Sequence, residues 1–208
     1  MNILIADDHI VVRKGLIQII SDEFPQANFD QAVNGKEAME LLRSKKYDIA
    51  ILDITMPELS GMDVVRQMKT EENKTPILVL TSHPEGQYAI RVLKAGASGF
   101  IGKEMAAEEL TIAINKILSG RKYITQTLAE KIAGDMSNET TKAQHELLSD
   151  REFEVMKLIA NGKTVSEIAD KLFISVTTVS TYRTRVLDKL NLKNNSELMH
   201  YAMTQNLV

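Results

Sequence analysis

Short unbroken apolar runs alternate with stretches of helical periodicity through the first 120 residues of the chain. Ile3–Ala6, Asp48–Leu52, Ile77–Leu80 and Gly99–Gly102 have the length and β-branched content of strands buried on both faces of a parallel sheet. Asn28–Ala32 is a weaker fifth run. Between them, Ile10, Val11, Val12, Leu16, Ile17, Ile19 and Ile20 recur at helical spacing up to Ser21 and are expected to pack into the core. Lys36–Arg43, Met62–Met68, Tyr88–Ala95 and Glu108–Leu118 read as four further helices, the last closed by Ser119-Gly120. Regular strand–helix alternation predicts a doubly wound α/β domain with five parallel strands in the order 2-1-3-4-5.

The pattern then changes. Arg121 to Gly134 stays helix-compatible, with Ile124, Leu128 and Ile132 spaced by four, whereas Asp135 to His145 is polar and without an apolar period, as in an interdomain linker. Beyond it the strand runs are gone. Ser149 stands three residues before Glu152, and Thr164 three before Glu167, each ahead of a helical run, and Ser175 is a third candidate cap. Only Phe173-Ile174 separate the second helix from that third cap, a helix-turn-helix spacing over about residues 165–184. Leu192 to Met203 reads as a last helix whose apolar side, with Leu198, Met199 and Ala202, suits a core or a dimer contact. The expected division is 1–120, a linker with a helical start at 121–146, and an all-α domain at 147–208.

Composition narrows the classes. A chain of 208 residues that is 44% apolar suits two small packed domains. Cysteine is absent, which removes disulfides and thiolate metal sites. No apolar stretch approaches the roughly 20 residues of a membrane span, so a cytoplasmic protein without a membrane partner is expected. The net charge of −3 is unevenly spread: residues 1–120 carry 13 basic and 17 acidic side chains, while Arg183, Arg185, Lys189 and Lys193 face only Asp188 within 175–193.

The strand ends carry the chemistry. Asp7 and Asp8 follow the first run, Asp53 the third, Thr81 the fourth and Lys103 the fifth, and the crevice of an open α/β sheet lies beyond the carboxyl ends of its strands. Three carboxylates about 5 Å apart repel by roughly 3 kcal/mol per pair at an effective dielectric near 20. A hard divalent cation offsets this, and Mg²⁺, satisfied by one or two carboxylates, leaves room for a phosphoryl donor. Asp53 would then be the nucleophile of an aspartyl phosphate, with the Lys103 ammonium balancing phosphoryl charge and the Thr81 hydroxyl donating to a phosphoryl oxygen. For any single residue, a solvated or helix-capping acid is the simpler reading; four strand ends with complementary chemistry outweigh it.

Asp7-Asp8-His9, Asp53-Ile54-Thr55-Met56-Pro57 with Gly61, Thr81-Ser82, and Lys94-Ala95-Gly96-Ala97 leading to Phe100 and Lys103 together resemble the receiver domain of two-component response regulators over about residues 1–120. The resemblance implies a flavodoxin-like fold with Asp8 and Asp53 as Mg²⁺ ligands, Asp7 acting directly or through a water, and the Thr55 main-chain carbonyl completing the set. It also pairs Thr81 and Phe100 as positions that move together on phosphorylation. Glu104 follows Lys103 where many receivers have proline, and no cis bond is expected there.

Leu148-Ser149-Asp150-Arg151-Glu152, Ile159-Ala160-Asn161-Gly162-Lys163, Glu167-Ile168-Ala169, Leu172-Phe173-Ile174-Ser175, Thr178-Val179 and Leu187-Asp188-Lys189-Leu190 resemble the LuxR-type DNA-binding domain, and the whole chain resembles a NarL-type response regulator. On the third helix of this domain, a 100° step places Val176, Val186 and Leu190 near Val179 on the buried side. Thr177, Thr181, Thr184 and Asp188 lie opposite, flanked by Ser180 and Arg185. Short hydroxyl side chains suit base edges in a major groove and cations suit phosphates, so Thr177, Thr178, Ser180, Thr181, Thr184, Arg185 and Lys189 are the expected DNA contacts. A threonine-rich solvent face is the plainer alternative. Many relatives carry lysine at 180 and histidine at 182, where this chain has Ser180 and Tyr182.

The reading is a DNA-binding transcriptional regulator switched when a sensor histidine kinase phosphorylates Asp53, and acting on double-stranded DNA as a homodimer. It is expected to be no enzyme beyond autocatalytic phosphoryl acceptance and slow self-dephosphorylation. A rival class, an Mg²⁺-dependent phosphatase or phosphotransferase, would place a second acid two residues after the nucleophile, where Thr55 stands. A C-terminal domain that binds protein in place of DNA is the third option.

Overall fold

The computed structural model describes residues 1–82, 85–130, 144–205 and 207–208, in two compact units, Met1–Asn138 and Glu139–Val208. In the first, strands β1 (Asn2–Ala6), β2 (Asn28–Ala32), β3 (Ile49–Leu52), β4 (Ile77–Thr81) and β5 (Gly99–Gly102) form one parallel sheet in the order β2-β1-β3-β4-β5. This is the expected flavodoxin-like topology. Helices α1 (Ile10–Glu23), α2 (Gly35–Ser44), α3 (Gly61–Thr70), α4 (Glu85–Ala95) and α5 (Ala106–Leu118) are the crossovers.

Successive strand residues point to opposite faces, and here both faces are covered. Ile3, Ile5, Ile49, Ile51, Leu78, Leu80 and Ile101 form one core layer with Leu16 and Ile20 of α1 and Leu110 and Ile114 of α5. Leu4, Ala50, Leu52, Val79 and Phe100, on the other face, are equally buried. Seven apolar positions on α1 exceed what one buried stripe can hold: Leu16 and Ile20 are buried, but Ile10 and Val11 stand in solvent, Val11 at 79% exposure. Arg13 takes an inward position that the periodicity assigned to aliphatic residues.

The packing of the first unit runs past Gly120. Tyr123 bridges Gly99 at the sheet edge, its hydroxyl donates to Glu109 at 2.7 Å, and Leu128 in the helical stretch 126–130 is buried. Part of the segment expected as linker therefore belongs to the first unit. The rest of that expectation, 131–143, lies outside the described residues.

The second unit is a bundle of α6 (Asp150–Ala160), α7 (Val165–Leu172), α8 (Val176–Leu190) and α9 (Asn195–Thr204), preceded by a 3₁₀ turn at Gln144–Leu147. Its helices start on local chemistry. Ser149 with Glu152 and Thr164 with Glu167 form reciprocal capping boxes, and Ser175 accepts from the Thr178 N–H. The last helix begins at Asn195, three residues later than expected, because Asn194 caps it by accepting from the Glu197 N–H. Phe153, Met156, Ile159, Ile168, Leu172, Val179, Val186, Leu190 and Leu198 form the buried interior. His145 belongs to this unit and not to a free linker: its main-chain N–H donates to the Tyr201 hydroxyl at 3.1 Å.

Candidate functional site

Ladder register assembles the acidic crevice. Ala6 pairs with Leu52, so the next residues, Asp7 and Asp53, emerge side by side, and the Asp53 N–H donates to the Ala6 carbonyl at 2.8 Å. Thr81 pairs with Gly102 at the β4–β5 edge, which brings Lys103 in directly after β5. Lys103 Nζ donates to Asp53 Oδ2 at 2.8 Å and lies 2.6 Å from Asp7 Oδ2, the latter an ion pair without hydrogen-bond geometry. Asp7, Asp53 and Thr81 are buried, whereas Asp8 and His9 open to solvent. Phe100 is fully buried, and the Lys103–Glu104 bond is trans.

One ammonium cannot neutralise three acids. Burial, above all, pushes the Asp53 carboxyl above its ordinary range; Asp7 adds to this, while Lys103 and the Thr81 hydroxyl work against it. Burial also disfavours charge on Lys103, but the two anions beside it, Asp53 and Asp7, prevail and raise its pKa. The two shifts are consistent, since the cation has two anionic partners and each anion only a share of one cation. Asp53 Oδ1 is buried with no hydrogen-bond partner. A buried, unpartnered carboxylate oxygen in an under-compensated acidic pocket is what a hard cation or a phosphoryl group would complete. Ligand atoms of Asp7, Asp8, His9 and Asp53 all lie within 4.8 Å of one another, a group able to hold a metal ion. Thr55, the remaining expected ligand, is half-buried in the turn after β3.

Three features of this site were not anticipated. His9, given no role by the sequence, joins the cluster, with Nδ1 2.7 Å from Asp8 Oδ1 and its main-chain N–H donating to Asp7 Oδ1 at 2.8 Å. Arg13, 7% exposed, donates through Nη1 to the Asp7 carbonyl at 2.7 Å and through Nε to Gln31 at 3.0 Å, clamping the main chain of the first acid. The loop after Asp53 is seated on two glycines. A Cβ on Gly61 would overlap the Asp53 carbonyl oxygen, and one on Gly35 the Leu59 carbonyl oxygen. Asn34 donates to Glu58, a left-handed residue of the same loop, at 3.0 Å.

On α8, Thr177, Ser180, Thr181, Thr184 and Arg185 are exposed and Thr178 is half-buried. Val176, expected inside, is 49% exposed because it opens the helix before the bundle closes over it. The Ser180, Thr181 and Thr184 hydroxyls donate to the carbonyls of Val176, Thr177 and Ser180 at 3.0–3.1 Å. Lys189 turns toward its own domain: Nζ donates to Glu152 Oε2 at 2.7 Å. Burial raises the Glu152 pKa, but the Lys189 and Ser149 bonds outweigh it and hold the carboxyl below its usual range. Arg183 Nε donates to Asn195 at 2.6 Å.

Residues 3–115 match the response regulator receiver domain, and residues 146–202 match the bacterial regulatory proteins of the luxR family. The chain belongs to the response regulators that join a receiver to a LuxR-type DNA-binding domain. It is 33% identical over 208 residues to the response regulator UvrY of Escherichia coli K12, covering 100% of this chain and 95% of that one. It is 35% identical to the oxygen regulatory protein NreC of Staphylococcus carnosus, covering 100% and 99%. Among solved structures it resembles RcsB from Salmonella enterica serovar Typhimurium, bound to promoter rprA in the presence of phosphomimetic BeF₃⁻, with 26% identity, a TM-score of 0.65 and 97% of each chain covered. No helix among the described residues is long and apolar enough to cross a membrane.

Proposed function

We propose that Asp53 is the phosphoacceptor of this regulator, that a sensor histidine kinase is the donor, and that phosphorylation controls dimeric binding of the C-terminal domain to double-stranded DNA in the cytoplasm. Asp53 Oδ1, buried and without a hydrogen-bond partner, carries the reading. Its lone pair attacks phosphorus; the O–P bond forms as the P–N bond to the kinase histidine breaks, and the electron pair leaves with the imidazole. Lys103, already on Oδ2, shifts its charge toward the incoming oxygens, and the Thr81 hydroxyl donates to one of them. Phe100, inward beside that strand, is the packing partner that registers Thr81's movement.

Asp8, Asp53, the Thr55 main-chain carbonyl and, directly or through a water, Asp7 would hold Mg²⁺. When bound, it would supply the positive charge that Lys103 alone does not and draw phosphoryl oxygens into the crevice. Autocatalytic phosphoryl acceptance from a small donor and slow self-dephosphorylation follow from the same residues. Acetyl phosphate with Mg²⁺ tests the assignment: intact mass rises by one phosphoryl group in the wild type and not in Asp53→Ala. An undiminished gain in the variant would refute it.

For the output domain, spanning about 147–208, α7 and α8 are the helix-turn-helix. Thr177, Thr178, Ser180, Thr181 and Thr184 face base edges and Arg185 faces phosphate, in half-sites about 34 Å apart on a two-fold dimer. The RcsB structure, determined on a promoter, supports this reading. Lys189, held by Glu152, is assigned to the framework and withdrawn from the phosphate contacts. Arg185→Ala should weaken binding to all duplexes and flatten the salt dependence by about one phosphate contact, whereas Lys189→Ala should leave the slope unchanged.

A further inference from the structure

We infer that α8 selects A·T base pairs, because its Ser180, Thr181 and Thr184 positions offer hydrogen-bond acceptors and methyl groups outward in place of donors; this rests on the DNA-reading role proposed above. A serine or threonine hydroxyl has one hydrogen to give and two lone pairs. On this helix three of those hydrogens are already spent inward. Ser180 Oγ donates to the Val176 carbonyl, Thr181 Oγ1 to that of Thr177 and Thr184 Oγ1 to that of Ser180. Such back-bonding to the fourth preceding carbonyl is a local alternative that short hydroxyl residues exploit. All three side chains are exposed, so what they turn outward is lone pairs, together with the γ-methyls of Thr181 and Thr184. Val176, half in solvent one turn before Ser180, adds two more methyls to the same flank.

The major groove discriminates against such a face unevenly. Guanine presents N7 and O6, both acceptors, which would meet oxygen lone pairs with no hydrogen between them. Adenine presents its N6 amino group as a donor, and thymine its C5 methyl beside O4. Cytosine also has an amino donor, but it lies next to the guanine O6 and brings no methyl. Only the A·T pair offers both complements of this surface. To recognise guanine, any of these three hydroxyls would have to abandon its helix carbonyl and rotate outward. Arg185, an exposed donor on this helix, projects about a quarter turn away from Thr184.

The test uses the full chain and duplexes enriched by it from a random pool. The core of each half-site is expected to be A·T-rich. Replacing a core A·T pair by inosine·C, which keeps an A·T-like minor groove but a G·C-like major groove, should weaken binding about tenfold. Replacement by 2,6-diaminopurine·T, which alters only the minor groove, should leave it unchanged. Thymine→uracil, which deletes the methyl alone, should cost about threefold. Thr181→Val with Thr184→Val keeps the methyls and removes the acceptors; it should erase the penalty for inosine·C while leaving the urea midpoint of the domain in place. A G·C-rich core, or equal affinity for A·T and inosine·C duplexes, overturns the inference while the DNA-binding role stands. Failure to retain any duplex even at low salt removes that role and the inference with it.

Discussion

In the receiver, the groups that matter are buried and short of partners; on α8 the Ser180, Thr181 and Thr184 hydroxyls are exposed and each has found one. Asp7, Asp53 and Thr81 lie beneath the surface with a single ammonium among the acids, while Ser180, Thr181 and Thr184 stand in solvent, bonded to their own helix. An unpaired polar group in a low-dielectric site costs far more than one in water, so the crevice stores a demand that a cation or phosphoryl group relieves. The recognition helix stores none. On the proposed reading its selectivity would come from which atoms face outward, and substitutions there should change binding without changing stability.

The sharpest way to break this contrast is to overfill the crevice floor. Gly61→Ala places a methyl against the Asp53 carbonyl and should destabilise the first unit by about 3 kcal/mol, read from its urea transition in the full chain. An unchanged midpoint would show that the α3 start can slide away from the acid. Arg13→Met comes next. It leaves the buried Asp7 carbonyl without its donor, and a loss of about 2 kcal/mol is expected, accompanied by a higher Mg²⁺ requirement for labelling by acetyl phosphate. Tighter Mg²⁺ dependence would mean that Arg13 acts through its charge and not as a clamp.

Glu152→Gln sharpens the comparison from the other side, since the buried Glu152 carboxylate pairs with the exposed Lys189 ammonium in the domain that carries α8. The folded-state pKa of Glu152 lies below its ordinary 4.5, so its contribution is present above that value and lost as pH falls through the lowered one. The wild type should exceed the variant by roughly 1.5 kcal/mol at pH 7, the gap closing below about pH 4. A gap that is constant with pH would rule out the ion pair as its source. The smallest effect concerns Phe173, left-handed at φ 54° and 63% exposed in the turn before α8. Phe173→Gly should stabilise the bundle by about 0.5 kcal/mol in the same urea assay, and a loss would reveal packing by the ring.

How far the sequence could be read follows from the range of the interactions. Strands with no polar face, and acids where those strands end, announce themselves locally, as do the caps at Ser149, Thr164 and Ser175. Asn194 with Glu197 carries the same local cap signal and marks the start of α9 at Asn195. Other features depend on partners far along the chain. Arg13 meets Gln31 across 18 residues and Lys189 meets Glu152 across 37, and a cation on a helix otherwise reads as solvated. Ile10 and Val11 mislead because they stand in the first turn of α1, where both are exposed, ahead of the buried Leu16 and Ile20. Gly35 and Gly61 look like ordinary helix starts until the loop that rests on them is in place.

The close approach at Gly61 has a mechanical consequence. With only a hydrogen atom between the first residue of α3 and the main chain of Asp53, and the Gly61 N–H bonded to the Ile54 carbonyl at 2.9 Å, no slack separates acid and helix. A tug on the aspartate backbone is therefore handed to a rigid rod about 15 Å long, whose far end sweeps the opposite rim of the sheet.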